Sequence, residues 1–336
     1  MKVNRKELLD VLTTASVGIT KREVLEQSNS FIVDSENLIT FNGEIFTKVA
    51  SPLPDVSGSV PAEDLLALLA KFPDEELEVH TLKNELRVKG KKREAGITMS
   101  ADVHLPFDDV PGPDVWTDVP EALPSALVQA ARICGRDEAL PRTMEVHVTP
   151  DWVEASDNYR IFRSTITTGL KGEVLFPGTS IEMVGNLVFK KLSQPPDTGW
   201  IHFQTKKGHQ VSIRCSKGKY PDLGKFLEVG EGKKVVLPEN LSEILSRAEV
   251  MQDFNAIVGV VIEDGLLTLS ARKDQGWYKE SKSIDYDTVW PPIKFEVNLR
   301  FLQEILKTTR KVTVSENRMR IRSGETTFVV CLETGE

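Results

Sequence analysis

Apolar residues recur along the chain at the spacing of amphipathic helices, and each such run is followed by short stretches rich in Val, Ile, Leu and Thr. These stretches have the length and composition of β-strands. The combination returns about every 60 residues, which predicts an internal repeat. The six predicted helices begin near Arg5, Pro61, Ala122, Ile181, Glu239 and Asn298, and the fourth is expected to include IEMVGNLVFKKL (181–192).

Each repeat is expected to place one helix on an antiparallel sheet. Leu8, Leu9 and Leu12 form a single apolar stripe on the first predicted helix, and such a stripe must be covered by another element. The segments 77–90 and 312–324 each hold two alternating apolar stretches around a polar turn that contains asparagine, which predicts hairpins. One helix and its hairpin strands therefore make one unit.

Segments rich in Pro, Gly and Asp divide the six units into three pairs. The stretch PFDDVPGPDVW precedes Thr117 and EVGEGKK ends at Lys234, and both are typical of linkers. A lone unit buries too little surface to be stable, whereas two joined units can build a core. The expected fold is α+β, with three similar domains at 1–115, 116–232 and 233–336, each made of two helix-on-antiparallel-sheet units.

Three similar domains joined edge to edge produce a curved array, and two such chains related by a two-fold axis can close into a ring. Closure would cover the sheet edges and leave the helices on one surface. The cationic residues on or near the predicted helices are Lys6, Lys71, Arg132, Lys190, Lys191, Arg247, Lys307 and Arg310. They could line a basic bore, or they could be ordinary solvated helix surface, because the same helices carry acids such as Asp10 and Glu182.

Charge and cysteine content limit the functional classes. A formal net charge of -8 argues against a protein that coats nucleic acid with its whole surface, but it leaves room for one basic face. The cysteines Cys134, Cys215 and Cys331 lie far apart and follow no metal spacing, so we expect neither disulfides nor a zinc site. The charged, amphipathic start of the chain is unlike a secretory signal, and no apolar run reaches membrane-spanning length. A reducing, cytoplasmic location is expected.

Five segments carry a resemblance to one known family. They are MKVNRKELLDVLTTASVGITKRE at the start, ASDNYRIF (155–162), GKYPDLGKFL (218–227), FEVNLRFLQEIL (295–306) and FVVCL (328–332). Together they resemble the bacterial DNA polymerase III beta subunit, the DNA sliding clamp. In the second segment Tyr159 replaces the usual histidine and Asn158 the usual glycine, whereas Asp157 and Arg160 are kept. The resemblance implies the DNA clamp fold, closing as a ring of two chains around duplex DNA.

The resemblance also implies two sets of functional residues. The family has a hydrophobic groove between its second and third domains that accepts short clamp-binding peptides of polymerases and of the clamp loader. The groove residues it assigns here are Ser156, Asn158, Tyr159, Arg160, Ile161, Pro221, Lys225, Phe226, Phe254, Asn298, Phe301, Val329, Val330 and Cys331. The DNA-facing residues are Arg22, where the family has a basic residue, together with Lys71, Arg132, Lys190, Lys191, Arg247, Lys307 and Arg310.

The chain also departs from the family pattern. It ends in Glu-Thr-Gly-Glu at 333–336 in place of the usual Met-Pro-Met-rich tail, and Asn42-Gly43-Glu44 replaces a Thr-Asp-Leu-Glu pattern. These differences indicate a divergent clamp, such as a viral one, and leave its peptide preference open. By themselves, the resembling segments are also compatible with an ordinary turn, a strand end and a buried strand.

Catalytic and cofactor motifs are weak in this sequence. Gly230 and Gly232 supply only part of a dinucleotide loop, and no strand pattern precedes them. The five histidines, His80, His104, His147, His202 and His209, include no metal-ligand pair. Asp285 and Asp287 alternate along one predicted strand and could form an acid or metal pair, but a solvated edge strand explains them better. We expect no enzyme activity, no cofactor and no bound metal.

Three hypotheses of function remain. The first is a sliding clamp that holds DNA topologically, binds without sequence preference and tethers a polymerase; Val250 and Met251 would lie near the contact between the first domain of one subunit and the third of the other. The second is a monomeric clamp-like scaffold or decoy that binds clamp-interacting peptides. The third, a hydrolase or nuclease using Asp285 and Asp287, has the least support.

Overall fold

The computed structural model describes residues 1–230, 232–285 and 291–333. Within them the chain forms seven α-helices and 24 β-strands. The helices are α1 (Arg5–Ala15), α2 (Ala62–Lys71), α3 (Leu123–Ile133), α4 (Gly178–Val184), α5 (Gly224–Leu227), α6 (Leu241–Ala248) and α7 (Leu299–Leu306).

The first twelve strands are β1 (Lys2–Asn4), β2 (Ser30–Val33), β3 (Asn37–Phe41), β4 (Ile45–Ala50), β5 (Gly58–Pro61), β6 (Glu76–Leu82), β7 (Glu85–Lys89), β8 (Glu94–Thr98), β9 (Thr117–Asp118), β10 (Glu145–Val148), β11 (Trp152–Ser156) and β12 (Arg160–Thr165). The other strands are β13 (Val174–Pro177), β14 (Phe189–Ser193), β15 (Trp200–Thr205), β16 (Gln210–Arg214), β17 (Lys233–Val236), β18 (Ile257–Glu263), β19 (Leu266–Lys273), β20 (Gly276–Ser283), β21 (Ile293–Asn298), β22 (Lys311–Val314), β23 (Arg318–Ser323) and β24 (Thr326–Cys331).

All six helices predicted from the periodic pattern are present. The first begins where the side chain of Asn4 accepts hydrogen bonds from the backbone N–H groups of Lys6 and Glu7, at 3.0 and 3.1 Å, which is the usual stabilisation of a helix N-terminus. Asn298 starts α7 in the same way, accepting from Arg300 N at 3.0 Å. The predicted hairpins are also present, as β6 with β7 and as β22 with β23.

The extent predicted for the fourth helix is wrong. That helix ends at Val184, and Gly185 is its C-cap residue. The residues Lys190 and Lys191, which we expected on the helix, lie on strand β14, which pairs with β15. The strand is fixed by pairing on both sides, with Leu192 opposite Phe203 on β15 and opposite Thr117 on β9.

One compact unit comprises Met1–Ala131, His147–Pro150 and Thr167–Gly218. It contains a four-stranded sheet of order β1-β6-β7-β8 and an eight-stranded sheet of order β5-β2-β3-β4-β16-β15-β14-β9. The two halves of the larger sheet join where β4 pairs antiparallel with β16, from Ile45 opposite Ile213 to Lys48 opposite Gln210. Helices α1 and α2 bury Leu8, Leu12, Leu65 and Leu69 in the core beneath the strands.

The second compact unit comprises Arg132–Val146, Asp151–Ile166 and the described chain from Lys219 onward. It holds a four-stranded sheet of order β20-β19-β18-β21 and the run β11-β12-β24-β23-β22-β17. This run joins strands from distant parts of the chain where β12 pairs antiparallel with β24, from Arg160 opposite Val330 to Ser164 opposite Thr326. Helix α6 buries Leu241, Ile244 and Leu245, and helix α7 buries Leu299, Leu302 and Ile305.

The observed architecture confirms the predicted α+β class and the repeated helix-on-antiparallel-sheet unit. The stretch 106–116 contains neither helix nor strand, as expected of a linker. In the other predicted linker, Glu231 lies outside the described residues, and β17 begins at Lys233. The domain limits at 115 and 232 stay a prediction.

Candidate functional site

A tight turn joins β11 to β12 and opens one wall of the candidate groove. The carboxylate of Asp157 accepts hydrogen bonds from the backbone N–H groups of Tyr159 and Arg160, at 3.1 and 2.9 Å, as aspartate does in turns. Asn158 takes a left-handed backbone conformation, with φ of 74°, which asparagine tolerates better than most residues. As a result, the ring of Tyr159 is 63% exposed.

Arg160 is held in one orientation by four neighbours. Its Nε lies 2.8 Å from Asp157 Oδ2, a second nitrogen is ion-paired with Glu304, and Nη2 donates to Arg132 O at 3.2 Å. The guanidinium carbon lies 4.5 Å from the centre of the Phe301 ring, within the range of a cation–π contact. The side chain is only 16% exposed, so Arg160 ties the turn to helix α7.

A second wall follows the Tyr-Pro-Asp segment. The carboxylate of Asp222 accepts a hydrogen bond from Gly224 N at 2.8 Å at the start of α5. Burial raises the pKa of Tyr220 well above its ordinary value, and this ring anchors the segment. The short helix leaves Phe226 42% exposed, with the guanidinium of Arg318 5.4 Å from its ring centre.

Strand β24 forms the floor between these walls. Val329 and Val330 are buried, as are Ile161 and Ser156 on the neighbouring strands. Cys331, at the end of β24, is exposed and free, and its backbone N–H donates to Tyr159 O at 2.8 Å. Partial burial of the sulfur raises the pKa of its thiol and outweighs the opposing effect of the Arg318 guanidinium, while the Asp157 carboxylate adds to the rise. The thiol is therefore protonated at neutral pH.

Beyond Cys331 lies a cleft of about 380 Å³. Its lining residues are Tyr159, Asn255, Ile257, Glu296, Val297, Asn298, Phe301, Cys331 and Glu333. Asn298 donates to Asn255 O at 3.0 Å, in addition to capping α7. Aromatic and aliphatic groups with a few polar atoms around an open cleft are typical of surfaces that bind short peptide segments.

The structure brings most of the predicted groove residues together. Tyr159, Asn298, Phe301 and Cys331 share the cleft, and Phe226 lies across β23 and β24 from it. Phe254, however, is 91% exposed and lines a different cleft, of about 790 Å³, that also contains the exposed Trp277. Whether these residues bind a peptide stays a prediction.

Seven residues of the site were missed by the sequence interpretation. They are Arg318 over Phe226, Glu304 against Arg160, and Asn255, Ile257, Glu296, Val297 and Glu333 at the cleft. Arg318 reaches the groove through the pairing of β23 with β24, Glu333 through its bridge with Glu296, and Glu304 through its ion pair with Arg160. No local motif in the sequence could have indicated these contacts.

The predicted DNA-facing cations occupy varied settings. Lys71 and Arg132 lie in the last turns of α2 and α3 and are exposed, as are Arg22 and Lys307 in loops and Lys190 on β14. Three others are ion-paired: Lys191 with Asp118 at 2.9 Å, Arg247 with Glu280 at 2.9 Å, and Arg310 with Glu239 at 3.0 Å. Their role toward DNA stays a prediction.

The described residues that were considered for catalysis lie in separate settings. His202 is buried and its Nδ1 lies 2.7 Å from Ser212 Oγ, while burial lowers its pKa to about 4. Asp285 is exposed, and Asp287 lies outside the described residues. In the part of the chain that the structure describes, no cluster of three or more His, Cys, Asp or Glu side chains is placed to hold a metal ion. Within the same residues, no helix is long and apolar enough to cross a membrane.

Comparison with known proteins identifies the fold. No protein-family model matches the sequence, and the search of curated proteins gave no match. Among solved structures, however, the chain matches a class of proteins over its whole length, the bacterial DNA polymerase III beta subunits, or DNA sliding clamps. The chain has the fold of these sliding clamps.

Three of these structures illustrate the match. The clamp of Pseudomonas aeruginosa bound to griselimycin is 16% identical, with a TM-score of 0.79 over 100% of this chain and 99% of that one. The beta subunit of Thermotoga maritima is 18% identical, with a TM-score of 0.79 and the same coverage. The beta clamp of Helicobacter pylori in complex with 3,4-difluorobenzamide is 15% identical, with a TM-score of 0.81 over 100% of both chains.

Proposed function

We propose that this protein is a DNA sliding clamp, a ring-shaped processivity factor that encircles duplex DNA and tethers a replicative polymerase. The observation that carries the proposal is the match of the complete chain, not of one domain, to beta clamps with TM-scores near 0.8. Fold alone does not establish function, but the groove on β12, β24 and α7 adds a second, local correspondence. We propose no catalytic role, and a cytoplasmic location follows from the function.

The ring would form from two copies of the chain, each with three domains at 1–115, 116–232 and 233–336. Strands β8 and β20 are end strands of the two four-stranded sheets, and an unpaired end strand is ready to accept another strand. We propose that β8 of one copy pairs with β20 of the other. Val250, which is 63% exposed beside Met251, would pack at the same contact.

Within such a ring, the DNA would be held by topology and not by tight binding. The predicted cations Arg22, Lys71, Arg132, Lys190, Lys191, Arg247, Lys307 and Arg310 would make weak, screened contacts with phosphates. Three of them already have carboxylate partners, which further weakens their hold on DNA. The other five, Arg22, Lys71, Arg132, Lys190 and Lys307, are exposed and are therefore the strongest candidates.

Polymerase and clamp loader would dock through clamp-binding peptides in the groove. The rings of Tyr159 and Phe226 are 63% and 42% exposed to solvent, so they offer apolar area that a bound peptide could cover. The buried residues Ser156, Ile161, Val329 and Val330 would support the floor without extensive contact. Cys331 lies between the two walls.

The function is tested by retention on DNA circles. Purified protein is loaded onto nicked circular plasmid at moderate salt and separated from free protein by gel filtration, before and after the plasmid is cut once. A sliding clamp stays with the circle and runs off the linear form. Equal binding to both forms, or binding to neither, together with a mass of one 37.5 kDa chain by light scattering, would instead support a monomeric scaffold for clamp-binding peptides.

A further inference from the structure

The candidate groove has an acidic end. Glu296 and Glu333 line the cleft beside Tyr159 and Phe301, and their backbones form an antiparallel bridge with N–O distances of 2.7 and 3.0 Å. Among the described residues, neither carboxylate has an ion-pair partner, and no lysine or arginine lines the cleft.

The charged groups next to this cleft do not neutralise its two carboxylates. Arg160 is shared between the carboxylates of Asp157 and Glu304, so this trio carries one net negative charge. Lys294 on β21 and Arg300 on α7 are exposed but do not line the cleft. A cation that enters beside Tyr159 would therefore meet two free carboxylates.

The opposite end of the groove is basic. Arg318 lies over the exposed face of Phe226 at 5.4 Å, and Lys225 on the same short helix is exposed. Arg320 and Arg322 follow Arg318 on the same face of β23, because side chains two residues apart share a face. The nearby acids are Asp222, which caps α5, and Glu228, whose carboxylate lies 3.4 Å from Arg320 and 4.0 Å from Arg322. Cations outnumber acids here.

Cys331 connects the two ends. It pairs with Arg318 across β23 and β24, donates through its backbone to Tyr159, and lines the acidic cleft. An extended segment lying over Cys331 would thus reach both ends at once.

We propose that the groove selects an extended peptide of a partner protein that has apolar anchors for Tyr159 and Phe226, a lysine or arginine at the Glu296 and Glu333 end, and a carboxylate at the Lys225 and Arg318 end. The inference rests on the proposed function, because it assigns a peptide preference to the clamp groove. Charge complementarity of this kind fixes the direction and the choice of partner more than it adds affinity.

The test uses the full-length protein and three fluorescent peptides with identical leucine and phenylalanine anchors. One peptide has neutral glutamine flanks, one has lysine before and glutamate after the anchors, and one has these charges exchanged. We expect one charged order to bind about five-fold tighter than the neutral peptide at low salt, and the other to bind more weakly. The preference should shrink as ionic strength rises.

Protein variants assign the effect to the two ends. The double variant Glu296→Gln/Glu333→Gln should abolish the advantage of the lysine flank over the neutral peptide. Lys225→Gln should reduce the advantage of the glutamate flank. Glu263→Gln is the matched control, because Glu263 is an exposed carboxylate at the far end of β18 from the cleft.

Equal binding of both charged orders, or a preference that survives the double variant, would overturn the inference. Binding of none of the peptides would also overturn it. None of these three results affects retention on DNA circles, so the inference and the proposed function can fail separately.

Discussion

Two strand junctions, one in each compact unit, use the same backbone arrangement. At the first junction, between β4 and β16, Asn42 N donates to Ile45 O at 3.2 Å and Arg214 N donates to Glu44 O at 2.8 Å. At the second junction, between β12 and β24, the corresponding bonds run from Asp157 N to Arg160 O at 3.3 Å and from Cys331 N to Tyr159 O at 2.8 Å. An Asx side chain also caps the turn at both junctions.

The side chains that cover the two junctions are different. At the first, Phe46 packs against Phe41 and Phe107 with ring centres 6.5 Å apart in each case, and Trp200 packs on Phe41 at 6.1 Å. Phe41, Phe46 and Trp200 are all buried.

The second junction has one buried aromatic pair, Phe162 opposite Phe328 across β12 and β24, with ring centres 5.0 Å apart. Beside the turn, however, Tyr159 is exposed, and Phe226 contacts the cation Arg318 in place of another ring. One backbone design therefore serves as a closed core in one unit and as an open groove in the other. Side-chain cover, and not strand pairing, makes the difference.

Removing an aromatic ring from each junction should give the largest contrast. Phe46→Ala is expected to destabilise the protein by about 3 to 5 kcal/mol, because it opens a cavity in a closed cluster. Tyr159→Ala removes an exposed ring and should change the unfolding free energy by about 0.5 kcal/mol or less. Urea unfolding followed by circular dichroism measures both.

Peptide binding should show the opposite order. Tyr159→Ala is expected to weaken binding of a fluorescent clamp-binding peptide about ten-fold or more, as loss of an aromatic anchor does. Phe46→Ala should leave the affinity unchanged under conditions where the variant is folded. Similar destabilisation by both substitutions would mean that the second junction is as closed as the first.

A fall in pH should destabilise the first junction through the buried His202. His202 lies opposite Ser212, and Ser212 lies opposite Phe46 on β4. Burial lowers the pKa of His202 to about 4, below the ordinary unfolded value of about 6.5. The unfolded chain therefore binds the proton more readily, and stability from this group is complete above about pH 6.5 and is lost as the pH falls toward 4.

The expected loss is about 2 to 3 kcal/mol between pH 6.5 and 4. It is measured as the difference in unfolding free energy between the native protein and His202→Gln, which cancels the contribution of the carboxylates. The native protein should lose more stability than the variant over this range. Parallel curves for the two proteins would show that His202 is protonated without cost in the folded state.

The sequence could predict much of the fold because its periodic signals are local. An apolar stripe beginning at Leu8, or an asparagine before a helix as at Asn4 and Asn298, depends only on neighbouring residues. The fourth helix was extended too far because the Phe-Lys-Lys-Leu stretch at 189–192 fits a helix stripe as well as a strand. The stretch is a strand and not a helix because it pairs with β15.

The candidate site was less predictable because its contacts join distant parts of the chain. The resemblance indicated Tyr159 and Cys331, which the structure places at one cleft, and Phe226, which contacts Arg318 opposite Cys331. It did not indicate Glu304, which lies 144 residues from its partner Arg160. A strand pattern also does not say which edge of a sheet another strand will join, so neither junction could be derived from periodicity.

The smallest expected effect concerns the turns themselves. Asp157 accepts two backbone hydrogen bonds and also pairs with Arg160, whereas Asn42 accepts two backbone hydrogen bonds without an ion pair, at 3.0 and 2.7 Å. Asp157→Ala and Asn42→Ala should each lower the unfolding free energy by about 1 to 2 kcal/mol, because each leaves two turn N–H groups without their acceptor.

Asp157→Asn keeps the turn acceptor and loses only the ion pair, while Arg160 retains Glu304. Its cost should be about 0.5 kcal/mol and should disappear at high salt. If Asp157→Asn were as destabilising as Asp157→Ala, the ion pair, and not the turn that the two junctions share, would hold the open groove in place.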